Sequence, residues 1–272
     1  MENLNQINIA EYNRGEAFIH RLAQFPAMVG KNLAHQTPDD SHATLNWNSS
    51  KQRLESQLID DEFQLCVSLS NFSLCWSKNG KVISEQPANG KNKDHLLGWV
   101  KEQVSIAGLD AAKIHYIDHY EVPEHAVDTG RTFVKPSDEI LNAWIAHRTN
   151  ANEMMALINH AVGMDSDIRV WPHHFDTGTY YAFGNKKAIG AGWAIGDSMS
   201  ESPYLYIYPW HADESIDLSH APSLDAGKWM TDRWIGAILP LSEMIEVADL
   251  GALISDFVKT VVGEFKTKLD LN

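Results

Sequence analysis

Between positions 171 and 211 the chain concentrates residues that can carry protons, bind ions or stack rings: Trp171-Pro172-His173-His174-Phe175-Asp176, then Gly190, Gly192 and Gly196, then Tyr204, Tyr206, Tyr208, Trp210 and His211. A histidine with an aspartate two positions away can act as a proton carrier and its orienting partner, so His174 and Asp176 are the candidate catalytic pair. On a strand, residues two apart share a face, which lets both reach a single ion. With His173 or His211 as the third ligand they would form a zinc- or iron-type site that keeps an open position. No HExxH, His-x-His or cysteine-pair motif accompanies them. A hydrogen-bonded pair ordering a strand end is the commoner use of that spacing.

The same alternation places Gly190, Gly192 and Ala194 on one face of a strand and Tyr204, Tyr206, Tyr208 and Trp210 on one face of the next. A row without side chains leaves a trough that neighbouring rings fill or wall. With the faces in register, Gly190, Gly192 and Gly196 make a floor, and the four aromatics with His174 and Asp176 make its rim. A one-residue slip separates them. The plainer use of the small-residue row is a seat for a packed helix. The candidate ligand-binding residues are Asp197, Tyr206, Tyr208, Trp210 and Gly192.

Three other motifs carry less. His115 and His119 would pair on a helix, but residues 113–120 read as a strand, where they stand roughly 13 Å apart. Gly196-Asp197-Ser198 with Asp217-x-x-His220 resembles the blocks of GDSL-type esterases, yet only about twenty residues separate blocks that such enzymes place at opposite ends of the domain. Asp197 and Ser198 are therefore read as turn caps. Gly190-x-Gly192-x-x-x-Gly196 lies inside a strand and misses the dinucleotide spacing.

The elements that would hold these groups follow from periodicity. Helices are expected near 8–28, at 93–107, from the Ser137 cap to about Val162, and at the C-terminus along the stripe Leu250, Leu253, Ile254, Phe257, Val258, Val261, Val262, Phe265. Strands are expected at 42–48, as a half-buried strand over 63–69, at 72–76 leading into an Asn79-Gly80 hairpin, and near 168–183, 188–196, 203–210 and 232–239. The Pro-bearing stretch 121–136 separates an N-terminal half, 1–130, from a C-terminal half, 131–272, within one compact α+β protein. Its antiparallel sheets carry flanking helices, and each half runs helix, strands, helix.

Val170-Trp-Pro-His-His-Phe-Asp176, Gly192-Trp-Ala-Ile-Gly-Asp-Ser198 and Ser202-Pro-Tyr-Leu-Tyr-Ile-Tyr-Pro-Trp210 together resemble a bacterial protein family of unknown function, most specifically over 170–240. The resemblance implies a shared fold and brings no activity with it.

The composition narrows the partners. The chain has 272 residues, 44% of them hydrophobic, and a formal charge of −14, with no basic run longer than Lys186-Lys187. That balance disfavours nucleic acid and anionic lipid surfaces. No apolar run reaches the roughly 20 residues of a membrane span. The N-terminus lacks a signal-peptide pattern, and Cys66 and Cys75 read as free buried thiols, so the expected location is the cytoplasm. The leading function is binding of a small polar or aromatic molecule in the C-terminal half. A metal-assisted hydrolase using His174 and Asp176 and a structural or protein-interaction role are the alternatives. Cofactor and oligomeric state are open.

Overall fold

The computed structural model describes residues 1, 6–115 and 120–271. Among the described residues, two antiparallel sheets, of five and six strands, with four α-helices define an α+β fold. The chain divides into two compact units. The first holds Ala10–Ile145 with Val170–Phe175, and the second holds Met1–Ile9, Ala146–Arg169 and Asp176–Asn272.

In the first unit α1 (Ile9–Leu33) begins with Glu11 in its first turn and ends with Lys31 in its last, each charge complementing the helix dipole. Tyr12, Ile19, Leu22, Phe25 and Met28 are buried, and so are the polar Glu16, His20 and Arg21. Trp144 Nε1 donates to Glu16 Oε1 at 3.0 Å, which gives that buried acid a partner. Five strands follow as a meander: β1 (Asn46–Asn48), β2 (Arg53–Glu55), β3 (Phe63–Ser68), β4 (Ser73–Lys78) and β5 (Lys81–Pro87), antiparallel in that order. Asn79 and Gly80 both have positive φ, +49° and +72°, and Lys78 pairs with Lys81. The hairpin expected at Asn79-Gly80 is therefore a tight two-residue turn.

β3 is not the half-buried strand its alternation suggested. Past Gln64 every residue is buried, because neighbours cover both faces of this central strand, whereas β5 at the sheet edge keeps alternating exposure. Cys66 and Cys75 face each other across β3 and β4 as free, buried thiols. Burial pushes the Cys66 thiol up to about 12, far from the thiolate range that reactivity needs. α2 (Lys93–Ile106) is capped by Asn92, whose side chain accepts from His95 N at 2.9 Å. Ser137 Oγ accepts from Ile140 N at 3.3 Å and opens α3 (Asp138–Val162), as its sequence position suggested.

The strand expected over 168–183 is two strands, β6 (Arg169–Trp171) and β7 (Asp176–Phe183). Between them the backbone coils: Phe175 N donates to Trp171 O at 2.7 Å and Phe175 takes φ +56°. The second unit contains β7, β8 (Lys187–Ala194), β9 (Tyr204–His211), β10 (Lys228–Asp232) and β11 (Trp234–Pro240), antiparallel in the order β10-β11-β9-β8-β7. β10 was not expected, since its polar, irregular sequence gives no alternation. It pairs with β11 through a tight Asp232↔Trp234 reversal.

α4 (Leu250–Lys268) starts at Asp249, whose carboxylate accepts from Ala252 N at 2.9 Å. Its apolar stripe, Ile254, Phe257, Val258, Val261 and Phe265, shares one buried cluster with Ile189, Ala191, Trp193, Leu205 and Ile207 of the sheet and with Met154, Met155 and Ile158 of α3. Among the described residues no helix is long and apolar enough to cross a membrane. Ile254 is fully buried in that cluster. Ile254→Ala should destabilise the protein by about 3 kcal/mol, the cost of deleting three buried carbons plus the cavity they leave, read as a lowered midpoint in urea unfolding.

Candidate functional site

The registers bring the small-residue row and the aromatic row together. Gly190 pairs with Tyr208, Gly192 with Tyr206 and Ala194 with Tyr204, while Gly178 pairs with Gly192 and Tyr180 with Gly190 on the other side. Residues two apart share a face. Asp176, Gly178 and Tyr180 of β7, the Gly/Ala row of β8, and Tyr204, Tyr206, Tyr208 and Trp210 of β9 therefore form one surface. The face that packs on α4 is the opposite one, Ile189, Ala191 and Trp193. The small-residue row is thus not a helix seat.

It is not an open trough either. A β-carbon on residue 190 would lie 2.3 Å from the Tyr208 ring, and one on residue 192 would lie 2.5 Å from Tyr206 Oη and 2.8 Å from the Thr177 carbonyl. The rings occupy the volume that side chains at 190 and 192 would need, so the glycines are roofed by phenols from the next strand. Tyr204, Tyr206 and Tyr208 follow one another with centroids 6.3 and 6.2 Å apart, and Trp234 stands against Tyr206 and Tyr208 at 6.3 and 6.0 Å. The outer edge stays open: Tyr180 is 50% and Trp210 42% exposed.

Laid over Gly192, Tyr206 donates its hydroxyl to Asp176 Oδ2 at 2.5 Å. Asp176 is only 7% exposed, and its other oxygen, Oδ1, is buried with no hydrogen-bond partner. Burial first, then the charge of Asp176, holds the Tyr206 phenol far above its ordinary 10. Tyr208 is raised by burial and then by Tyr180 and Asp176, and Tyr204 by burial and then by Asp197. These phenols are neutral donors at physiological pH, unable to act as bases. What the arrangement offers is a fixed carboxylate oxygen beside ring faces and ring edges.

Several expected site residues lie elsewhere. His174 is not on the strand face, because β7 begins at Asp176 and His174 occupies the exposed turn that the left-handed Phe175 closes. There its ring lies 4.4 Å from that of His173, which also faces Trp171 at 6.0 Å. Gly196 falls beyond the end of β8. His211 ends β9 opposite Lys187, whereas Thr177, next to Asp176, pairs with Trp193. That separation is roughly 20 Å along β8 and on the other face, so His211 and Asp176 cannot share an ion. His211 Nδ1 instead accepts from Asp213 N and Glu214 N and caps its own turn. Asp197 is a cap as well: Oδ1 accepts from Met199 N at 2.7 Å and Oδ2 from the Tyr204 hydroxyl at 2.8 Å. Asp217 accepts from Ser219 N and Oγ and so caps its own turn. His115 is exposed in a loop and His119 lies outside the described residues. Among the described residues no group of three or more His, Cys, Asp or Glu could hold a metal ion.

Sequence reasoning passed over one polar cleft in the first unit, where Arg21, Gln24, Lys93, Tyr120 and Asp128 converge. They are more than a hundred residues apart at the extremes, and no spacing rule links them. The one available signal was a polar pair, His20-Arg21, inside a helix whose neighbours Ile19, Leu22 and Ala23 are apolar. Comparison of the chain with protein-family models, with curated proteins and with solved structures finds no match.

Two outcomes follow from the aromatic face. Gly192→Ala should cost about 1–3 kcal/mol, because Tyr206 and the Thr177 carbonyl must give way, measured by chemical denaturation. The raised phenols, Tyr206 and Tyr204, bind their protons more tightly folded than unfolded. The stability they contribute is intact below about pH 10 and drains away as pH rises above it. Tyrosinate absorbance from these residues should thus develop only together with loss of near-UV circular dichroism. A gradual rise in the folded protein accounting for all eight tyrosines would contradict that.

Proposed function

We propose that the chain binds a small, flat, polar molecule on the aromatic face of the second unit. The ligand's ring lies against Tyr206 and Trp234 beside Asp176, and an N–H or O–H group reaches Asp176. The observation that carries this reading is Asp176 itself: a carboxylate nine-tenths buried, one oxygen saturated by Tyr206 and the other without a partner. Leaving a buried acceptor unmade costs about 1–3 kcal/mol, a cost that a ligand donor would remove. Aromatic edges beside a few convergent polar groups are the usual make-up of a small-molecule site. The neutral phenols favour holding a ligand over moving its protons.

With this reading goes membership of the bacterial family that the Trp-Pro-x-His-Phe-Asp, Gly-Asp-Ser and Pro-Tyr-Leu-Tyr-x-x-Pro-Trp segments resemble. A cytoplasmic location without a nucleic-acid partner also belongs to it, supported by the charge of −14.

The test is a fluorescence and thermal-shift screen of the purified chain against small heteroaromatic amines, phenols and their uncharged analogues. Ligands carrying a donor should raise the melting temperature and quench tryptophan emission. Asp176→Asn and Trp234→Ala should each weaken the best of them by about tenfold, the worth of one hydrogen bond to a charged group or one ring contact. Affinity that is the same in both variants as in the parent would remove the reading.

A further inference from the structure

Asp176 is a buried carboxylate without a cation. Its side chain is 7% exposed, Oδ2 accepts from the Tyr206 hydroxyl, and Oδ1 is buried with no partner. A charge taken out of water is costly unless an opposite charge or several hydrogen bonds replace the solvent. One phenol is a single neutral donor. All 22 lysines and arginines of the chain lie among the described residues, and none of them forms an ion pair with Asp176. Asp128 makes the contrast: it is 28% exposed, yet it pairs with two cations, Arg21 at 3.1 Å and Lys93 at 3.0 Å.

The walls beside Asp176 are aromatic. Tyr206 and Trp234 stand with centroids 6.3 Å apart and planes at 84°, a corner and not a stack. Tyr208 adjoins both, with its plane 30° from that of Tyr206 and 55° from that of Trp234. A β-carbon on residue 236 would lie 2.4 Å from Trp234 Cη2, so the indole, like the phenols, rests where a side chain is missing. Tyr206, Tyr208 and Trp234 are each half-buried, which leaves part of every ring to solvent. Burial is the first reason that Tyr204, Tyr206 and Tyr208 hold their protons, and the Asp176 charge contributes at each of the three. The phenols are thus neutral and supply no counter-charge. Aromatic faces carry the negative part of the ring quadrupole. Carboxylate and ring faces therefore agree in sign: together they attract a cation and repel an anion.

We propose that the ligand of this face is an organic cation bearing N–H groups, a protonated amine or an amidinium, with its charge against Tyr206 and Trp234 and one N–H on Asp176 Oδ1. The assignment rests on the aromatic face being a small-molecule site and adds to it the sign of the ligand's charge. Aromatic rings hold cations through their faces, and tryptophan does so best. The unmade acceptor at Oδ1 adds a requirement that a quaternary ammonium fails, since it has no N–H. A hydrogen bond from a charged donor to a carboxylate is roughly twice as strong as a neutral one. A neutral donor would satisfy Oδ1 and still leave the buried charge uncompensated.

The experiment is calorimetric titration of the full chain with benzamidinium, with benzamide as its neutral isostere, and with benzyltrimethylammonium, which is charged without an N–H. Benzamidinium should bind at one site per chain, at least about tenfold tighter than benzamide and several-fold tighter than benzyltrimethylammonium. Asp176→Asn keeps the side-chain shape and an acceptor oxygen and removes the charge. It should cut benzamidinium affinity by at least about tenfold and benzamide affinity by less than about threefold, which erases the preference. Trp234→Leu, at a half-buried position, exchanges the indole for an apolar side chain and should weaken benzamidinium several-fold more than benzamide. It decides the matter if Asp176→Asn does not fold. Benzamide bound as tightly as benzamidinium overturns the cation assignment and leaves the small-molecule reading standing. Benzyltrimethylammonium bound as tightly as benzamidinium overturns the N–H contact at Oδ1. Benzamidinium affinity unchanged in both variants, or no binding of any of the three, also overturns the assignment. Neutral heteroaromatic compounds that still raise the melting temperature would then show the small-molecule reading surviving alone.

Discussion

The aromatic face depends on two missing β-carbons. At residues 190 and 192 the space a side chain would fill is taken by phenol rings from the neighbouring strand, so that a β-carbon there would clash at 2.3 to 2.5 Å. The rings lie down over β8 in place of standing up from β9. That posture carries the Tyr206 hydroxyl across one strand to Asp176. It also brings three tyrosines and Trp234 into continuous ring contact. A larger residue at 190 would lift the Tyr208 ring, and one at 192 would lift Tyr206 and free the carboxylate. Sterics thus set the hydrogen bond, and the hydrogen bond, with burial, sets the protonation state of the phenols.

The sheet gains this surface because its other face is fully used. Ile189, Ala191, Trp193, Leu205 and Ile207 meet the stripe of α4 and the last turns of α3 in one buried cluster. Apolar burial on that side supplies the main driving force of the unit. The polar groups within it are tied down: Arg148, 1% exposed, donates from Nη1 to Thr177 Oγ1 at 2.8 Å. His147, buried beside Trp193, is held neutral down to about 4 by burial and by the Arg148 charge. These histidine and arginine side chains serve the core, whereas Arg21 lines a cleft.

The two centres use opposite electrostatics. One is a carboxylate among neutral phenols and indoles, suited to donors and ring faces. The other is a carboxylate, Asp128, paired with Arg21 and Lys93. In each a single aspartate does the arranging, Asp176 by accepting from Tyr206 and Asp128 by orienting Arg21 and Lys93.

Alternation and turn chemistry are local, and what depends on them alone was legible in the residues: the Asn79-Gly80 hairpin, the Ser137 start of α3, the α4 stripe, and the Gly/Ala row beside the Tyr row. Whether those rows meet depends on register, which alternation leaves open; the fold sets it by pairing Gly190 with Tyr208 and Gly192 with Tyr206. The extension of the site to His174 failed because one left-handed residue, Phe175, ends the period of two, and a positive φ at phenylalanine has no sequence signature. The filling of the trough was equally hidden, since alternation says which face a tyrosine occupies but not whether its ring stands or lies. The Arg21 cleft was invisible from spacing altogether. Its members come from a helix interior, a helix start and a loop, and charges so far apart in the chain acquire a common address only when tertiary packing removes the water between them. The residues by themselves determined the α+β class and the faces of the strands; the folded chain alone decided which polar groups lost solvent, and therefore which of them are left needing a partner.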